Sequence, residues 1–180
     1  SEVKKIGLKK TPDISEIAIS GNKNEKIEFV KNHIGKEITI EEVFQRGVID
    51  IRGVTKGKGF QGAVKRFGVR LRNHKAEKGQ RKVGSIGAWH PIGVRFTVPR
   101  PGQFGLFSRI AYNNSIIAVK KAADSAIIKK PLDHYGFVRG DFIIVSGSVQ
   151  GPAKRQLLLT SPLRPTKKQA KKNYELLELR

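Results

Sequence analysis

The chain contains no cysteine and no methionine. Without a thiol it can hold no disulfide framework, no thiol nucleophile and no cysteine-bound zinc. Long apolar runs are missing too, since nothing approaches the roughly 18 residues that a membrane-spanning helix needs. No charged-then-apolar pattern opens the chain, so no secretory signal is read there. Acid is scarce: 15 Asp and Glu stand against 36 Lys and Arg, giving a formal charge of +21 and a pI near 10.5. A chain that repels itself this strongly is expected to work against a polyanion. Its 180 residues suit one domain, or one domain with extensions. A chain without methionine that opens on Ser1 reads as part of a longer protein.

The positive charge is concentrated. Residues 1–52 are nearly balanced, with ten basic and nine acidic side chains. Residues 53–113 carry thirteen basic side chains against one acid, Glu77, together with eleven of the 19 glycines. Residues 114–151 have a net charge of +2, and residues 152–180 a net charge of +6. More than half of the excess therefore lies in one central, glycine-rich stretch.

Periodicity and punctuation give a coarse structure. Residues 14–20 alternate enough for a short strand ended by Gly21-Asn22. Residues 24–34 set Ile27, Val30 and Ile34 at helical spacing, with Gly35 as the stop. Thr39-Ile40-Glu41-Glu42 has capping-box spacing and predicts a short helix through Phe44 that ends before Gly47. Residues 48–55, 116–119, 142–149 and 156–160 read as strands, the later ones separated by Pro131, Gly140 and Gly151-Pro152. The end of the chain, residues 166–179, reads as a basic helix with Ala170, Tyr174 and Leu177 on one face.

Between residues 56 and 113 the periodicity fails. Glycine recurs there with Lys or Arg between most of its occurrences. Such a stretch buries too little apolar surface to offset its own ordering entropy. It reads either as an extension that folds against a phosphate-rich partner or as a solvated, disordered loop. Gly57-Lys58-Gly59-Phe60-Gln61-Gly62 spells the dinucleotide fingerprint, but its surroundings do not fit. Lys65, Arg66, Arg70 and Arg72 follow where an apolar helix is required, and no acid stands ready for a ribose. These glycines instead let backbone amides approach phosphates and permit positive φ. Arg139-Gly140-Asp141 and the sequon Asn113-Asn114-Ser115 lack the export context that would give them meaning. His33, His74, His90 and His134 are too dispersed to suggest a metal site, and no Walker loop, nucleophile elbow or zincin pair is present. No enzyme and no cofactor is expected.

Residues 81–100 are more specific. They set the only tryptophan, Trp89, beside His90 and Pro91, with alternating segments on either side. A narrow two-stranded finger fits, with basic residues on the backbone of a nucleic acid and Trp89, His90 and Phe96 at its bases. The other reading makes Trp89 the core anchor of a hairpin packed on its own domain.

Several segments together resemble the large-subunit ribosomal protein three family in its archaeal and eukaryotic form. They are Val54-Thr55-Lys56-Gly57-Lys58-Gly59-Phe60-Gln61-Gly62 with Val64-Lys65-Arg66, residues 81–91, and Gly102-Gln103. Further along are His134-Tyr135-Gly136, Gly147-Ser148-Val149 and Gly151-Pro152-Ala153-Lys154-Arg155, and residues 12–21 and 26–44 fit as well. The resemblance implies a mainly β fold. It comprises a translation-factor-like β-barrel, incomplete in this chain because family members begin well before Ser1, a small α/β portion and a long basic extension. By that resemblance residues 1–47 are the α/β portion and lead-in, and residues 48–56 and 114–160 supply barrel strands. Residues 57–113 are the rRNA-penetrating extension, and residues 161–180 a basic tail.

The implied function is that of a structural constituent of the large subunit in the cytoplasmic ribosome. It binds large-subunit rRNA beside neighbouring ribosomal proteins, supports early assembly and extends a finger towards the peptidyl-transferase centre. No membrane and no small-molecule substrate is implied. Expected phosphate contacts are Lys56, Lys58, Lys65, Arg66, Arg70, Arg72, Lys75, Lys78, Arg81, Lys82, Arg95 and Arg100, with base-level contacts at Trp89, His90 and Phe96. His74, Gln103, Arg109, Lys154 and Arg155 complete the candidate set. Two departures stand out: Phe96 replaces a tryptophan usual in eukaryotic relatives, and residues 104–109 lack a Tyr-His pair. The alternative is a free RNA chaperone or translation-factor-like module that binds RNA transiently.

Overall fold

The computed structural model describes residues 3–44, 47–121, 128, 130–172 and 174–176. In chain order the elements are α1 (Lys23–His33), α2 (Ile40–Val43), β1 (Gly47–Val54), β2 (Phe60–Gln61), α3 (Ala63–Phe67), β3 (Gly102–Gln103), β4 (Ser108–Lys120), β5 (Phe142–Val145), β6 (Leu158–Thr160) and α4 (Lys167–Ala170). The fold is mainly β with short helices. Its chain divides into two compact units, one of Ser1–Gly53 with Ile110–Arg180 and one of Val54–Arg109.

The first unit is built on an open antiparallel sheet in the order β5-β4-β1-β6. Successive side chains of a strand point to opposite faces. The consecutive buried residues Ile49, Asp50 and Ile51 therefore mean that the middle of β1 is covered on both sides. Ile49 and Ile51 meet Ile116 of β4, and Phe44, Val119, Ile143, Val145, Leu157 and Leu159 pack around them. Burying each isoleucine is worth about 2 kcal/mol.

On the other face of β1 the Asp50 carboxylate is fully buried. It accepts the Asn113 N–H at 2.8 Å and the Leu163 N–H at 3.0 Å. Asn113 has a φ of +54°, a local twist within β4, and its side-chain amide donates to the Arg164 carbonyl at 3.0 Å. Asp50 thus ties the twist of β4 to the chain leaving β6, whose Thr160 pairs with Asp50 in the ladder.

The second unit starts from backbone pairing. Thr55 N–H donates to Phe107 O, Lys58 N–H to Phe104 O and Phe104 N–H to Gly59 O, each at 2.9 Å. The β2–β3 ladder continues this line, pairing Phe60 with Gln103 and Gln61 with Gly102. Gly105 is required in this zipper. Its φ is +75°, and a Cβ there would lie 2.0 Å from the Lys56 carbonyl oxygen. Helix α3 follows β2 and stops at Gly68, which adopts the left-handed conformation usual after a helix.

Several sequence expectations need correction. Residues 14–20 form no strand, and Ile14 is 90 % exposed. Alternation supplied one apolar face, but among the described residues no partner strand completes its ladder. Helix α1 matches its expected position and Gly35 has the expected positive φ, yet it buries no residue, and Ile27, Val30 and Ile34 remain exposed. Thr39 does precede α2 but makes no side-chain cap. The reach-back bond of a capping box occurs at α1 instead, from Asn22 N–H to Glu25 at 2.9 Å.

The strand expected over residues 142–149 ends at Val145, because Ser146 and Gly147 turn the chain, Gly147 with a φ of +94°. The strand expected over 116–119 grows to Ser108–Lys120 and so begins inside the stretch read as extension. That over 156–160 shortens to Leu158–Thr160. Residues 81–100 contain no ladder, so the two-stranded finger is absent. Gly84, Gly87, Pro91, Gly93 and Pro99 interrupt the pairing such a finger would require. Of the helix expected over 166–179, Lys167–Ala170 is helical, Tyr174 is not, and Leu177 lies outside the described residues.

Candidate nucleic-acid interface

The unit Val54–Arg109 holds thirteen Lys and Arg residues against Glu77 alone. Among its residues only Ala63 and Gly105 are buried, so nearly every charge faces water. Such a one-signed surface generates a field of several kT that concentrates anions. Lys65 lies on α3. Arg70, Arg72, His74, Lys75, Lys78, Arg81 and Lys82 follow on an irregular, exposed path. That path is held by local turns: Asn73 Oδ1 accepts the Lys75 N–H at 3.0 Å, and Arg72 N–H reaches Gln80 O at 3.1 Å.

Some candidate contacts also brace the unit. The half-buried Arg66 donates through Nη1 to Arg100 O at 2.8 Å and through Nε to Gln103 O at 3.1 Å, with its guanidinium 4.9 Å from the Phe67 ring. Gln103 in turn donates to Phe104 O and Gly105 O, at 3.3 and 3.2 Å. Lys58 Nζ sits 4.6 Å from the centre of the Phe104 ring, and the Arg109 guanidinium 5.2 Å from that of Phe107. These contacts leave each positive charge intact. Lys154 and Arg155 are exposed in the other unit, in a turn where Arg155 N–H bonds to Pro152 O.

Trp89 is 80 % exposed and meets His90 edge-on with ring centres 6.5 Å apart, while Phe96 is fully exposed. Neither ring anchors a core within the unit. An exposed ring in a basic unit offers a stacking face for an unpaired base. The Gly57–Gly62 turn runs into a two-residue strand paired antiparallel and then a five-residue helix, so no parallel βαβ unit for a dinucleotide is built. Among the described residues no three His, Asp or Glu side chains are placed to hold a metal ion. No described helix is long and apolar enough to cross a membrane.

A family model described as Ribosomal protein L3 matches residues 1–179. The chain belongs to this family. Large ribosomal subunit protein uL3 of Nanoarchaeum equitans is 47% identical over 169 residues, covering 93% of this chain and 52% of that protein. Its counterpart in Methanocaldococcus jannaschii is 46% identical over 161 residues, covering 87% and 48%. That of Thermoplasma acidophilum is 40% identical over 177 residues, covering 94% and 54%. The chain thus spans about half the length of the curated relatives it matches.

Two structural duties in this L3-family chain were missed by the sequence reading. Arg66 joins positions 34 and 37 residues away, a pairing that no local pattern encodes. Asp50 did leave a signal, being a single acid inside the apolar run Val48-Ile49-Asp50-Ile51. A lone acid in such a run implies buried partners for its oxygens.

Proposed function

We propose that this chain is a structural, non-enzymatic constituent of the large ribosomal subunit that binds large-subunit rRNA through residues 54–109. The observation that carries this reading is the thirteen-to-one excess of cations on a unit that withdraws almost nothing from water. Its Lys and Arg side chains bind phosphates and set position, and Trp89, His90 and Phe96 meet bases near the far end. Lys154 and Arg155 add contacts from the sheet unit. In the ribosome the stretch reaches towards the peptidyl-transferase centre, beside neighbouring ribosomal proteins, and its early binding helps to order the RNA.

Exposed area supports a chain that needs such a partner. Its surface is 14911 Å², where a folded monomer of 20.0 kDa leaves about 8,700 Å². The open sheet, with β5 and β6 at its edges, supports a translation-factor-like barrel closed by strands from the half of the family's length not included here. The test is the salt dependence of binding to transcribed large-subunit rRNA. Neutralising about ten phosphates gives a log–log slope of roughly −7 to −9. A slope shallower than about −3 would remove the extended-contact reading. Release from purified large subunits by a moderate-salt wash would favour a transient RNA chaperone.

A further inference from the structure

We propose that Arg66 is a positioning residue for RNA binding, clamping the outgoing and returning legs of the basic stretch together at their base. The proposal rests on the RNA-binding reading above and adds a contribution that charge alone does not make. Arg66 lies in the last turn of α3, on the outgoing leg. Its Nη1 donates to Arg100 O at 2.8 Å and its Nε to Gln103 O at 3.1 Å, both on the returning leg. Among the described residues these are the only hydrogen bonds that join residues 62–80 to residues 95–103. They sit just beyond the Gln61–Gly102 pair that ends the β2–β3 ladder, and so close the loop of residues 67–99. Closing such a loop costs conformational entropy that grows with the logarithm of its length. A neck already closed in the free chain meets that cost before RNA arrives, which raises affinity without a new contact.

Gly102 makes room for the clamp. A Cβ there would lie 3.0 Å from Nη1, 3.1 Å from Cζ and 3.4 Å from Nη2 of Arg66. Gly102 has no positive φ, so backbone freedom does not call for glycine at this position. Room for a flat guanidinium against the β3 backbone does. Lysine would carry the same charge on a single flexible ammonium, without the planar fork that reaches two carbonyls at once. Exchanging arginine for lysine therefore separates the geometry of this residue from its charge.

The experiment uses the full chain. It reads amide hydrogen exchange in the free state, and affinity for transcribed large-subunit rRNA across a salt series. Arg66→Lys is expected to speed exchange of the Phe104 amide, which bonds to Gly59 O beside the clamp, about fivefold. The same variant should bind RNA about fivefold more weakly at fixed salt, with the salt slope unchanged. Gly102→Val displaces the guanidinium while keeping every charge, and should reproduce both effects. Arg66→Gln should show them too, with the magnitude of the slope reduced by about 1.

Native affinity in Arg66→Lys would overturn the clamp, whatever its exchange, because the residue would then act by charge or as an internal brace alone. Weaker binding with native exchange in the free chain would overturn it in favour of a direct phosphate contact. A slope shallower than about −3 for the native chain would overturn the RNA-binding reading and the clamp together.

Discussion

In the sheet unit, Ile49, Ile51 and Ile116 are withdrawn from water, and the Asp50 carboxylate is satisfied by two backbone amides. In Val54–Arg109, backbone pairing and the Arg66 brace hold the base, while the other twelve cations and the ring of Trp89 remain exposed. One unit buries its side chains against itself. The other leaves nearly all of its side chains exposed. Substitutions in the core of the first should therefore change stability and spare RNA binding, and most substitutions in the second should do the reverse.

The sharpest break in this division of labour is expected from Ile51→Ala. Removing a fully buried isoleucine costs about 3 kcal/mol through lost burial and the cavity left behind. The thermal midpoint should fall by several degrees, with the salt slope of RNA binding unchanged for the chain that remains folded. Asp50→Ala should follow at about 2 kcal/mol, because the Asn113 and Leu163 N–H groups lose the buried acceptor they share. Chemical denaturation with unchanged m-value would check it, and a neutral result would remove Asp50 from the account. Arg66→Gln should register in both assays. It loses about 1 kcal/mol of bracing and also one unit of charge towards RNA.

Arg70→Gln or Arg72→Gln should leave the melting curve alone and reduce the magnitude of the salt slope by about 1 each. A change in stability from either would mean that the exposed path packs against its own unit. The smallest effect is expected at the exposed Lys5–Glu37 pair, with N and O 2.6 Å apart. The Lys5 ammonium holds the Glu37 carboxyl below its ordinary value. The pair's contribution is thus present above the ordinary carboxylate range and lost as pH falls through the lowered value. Because both groups face solvent, Lys5→Ala should not shift the melting temperature measurably at neutral pH.

How much was legible in the sequence follows the same division. Helix α1, strand β1 and the glycine stop at residue 35 were readable because local spacing and backbone demands specify them. The strand assigned to residues 14–20 failed because alternation reports a face and says nothing of a partner strand. Strand β4 was read too short because its first half, starting at Ser108, is fixed by distant residues, including the Asp50 carboxylate that meets Asn113. In the basic stretch, composition showed the concentration of charge at once. Its shape was not legible, since Thr55–Phe107 and Arg66–Arg100 bonds join residues far apart in a chain with no apolar period.

Amide hydrogen exchange on the chain, alone and bound to large-subunit rRNA, tests the contrast most directly. The account predicts slow exchange in the centres of β1 and β4 in both states. Residues 69–101 should exchange rapidly when free and become strongly protected on the RNA. Strong protection of 69–101 in the free chain would contradict it, because that stretch would then be a folded unit in its own right.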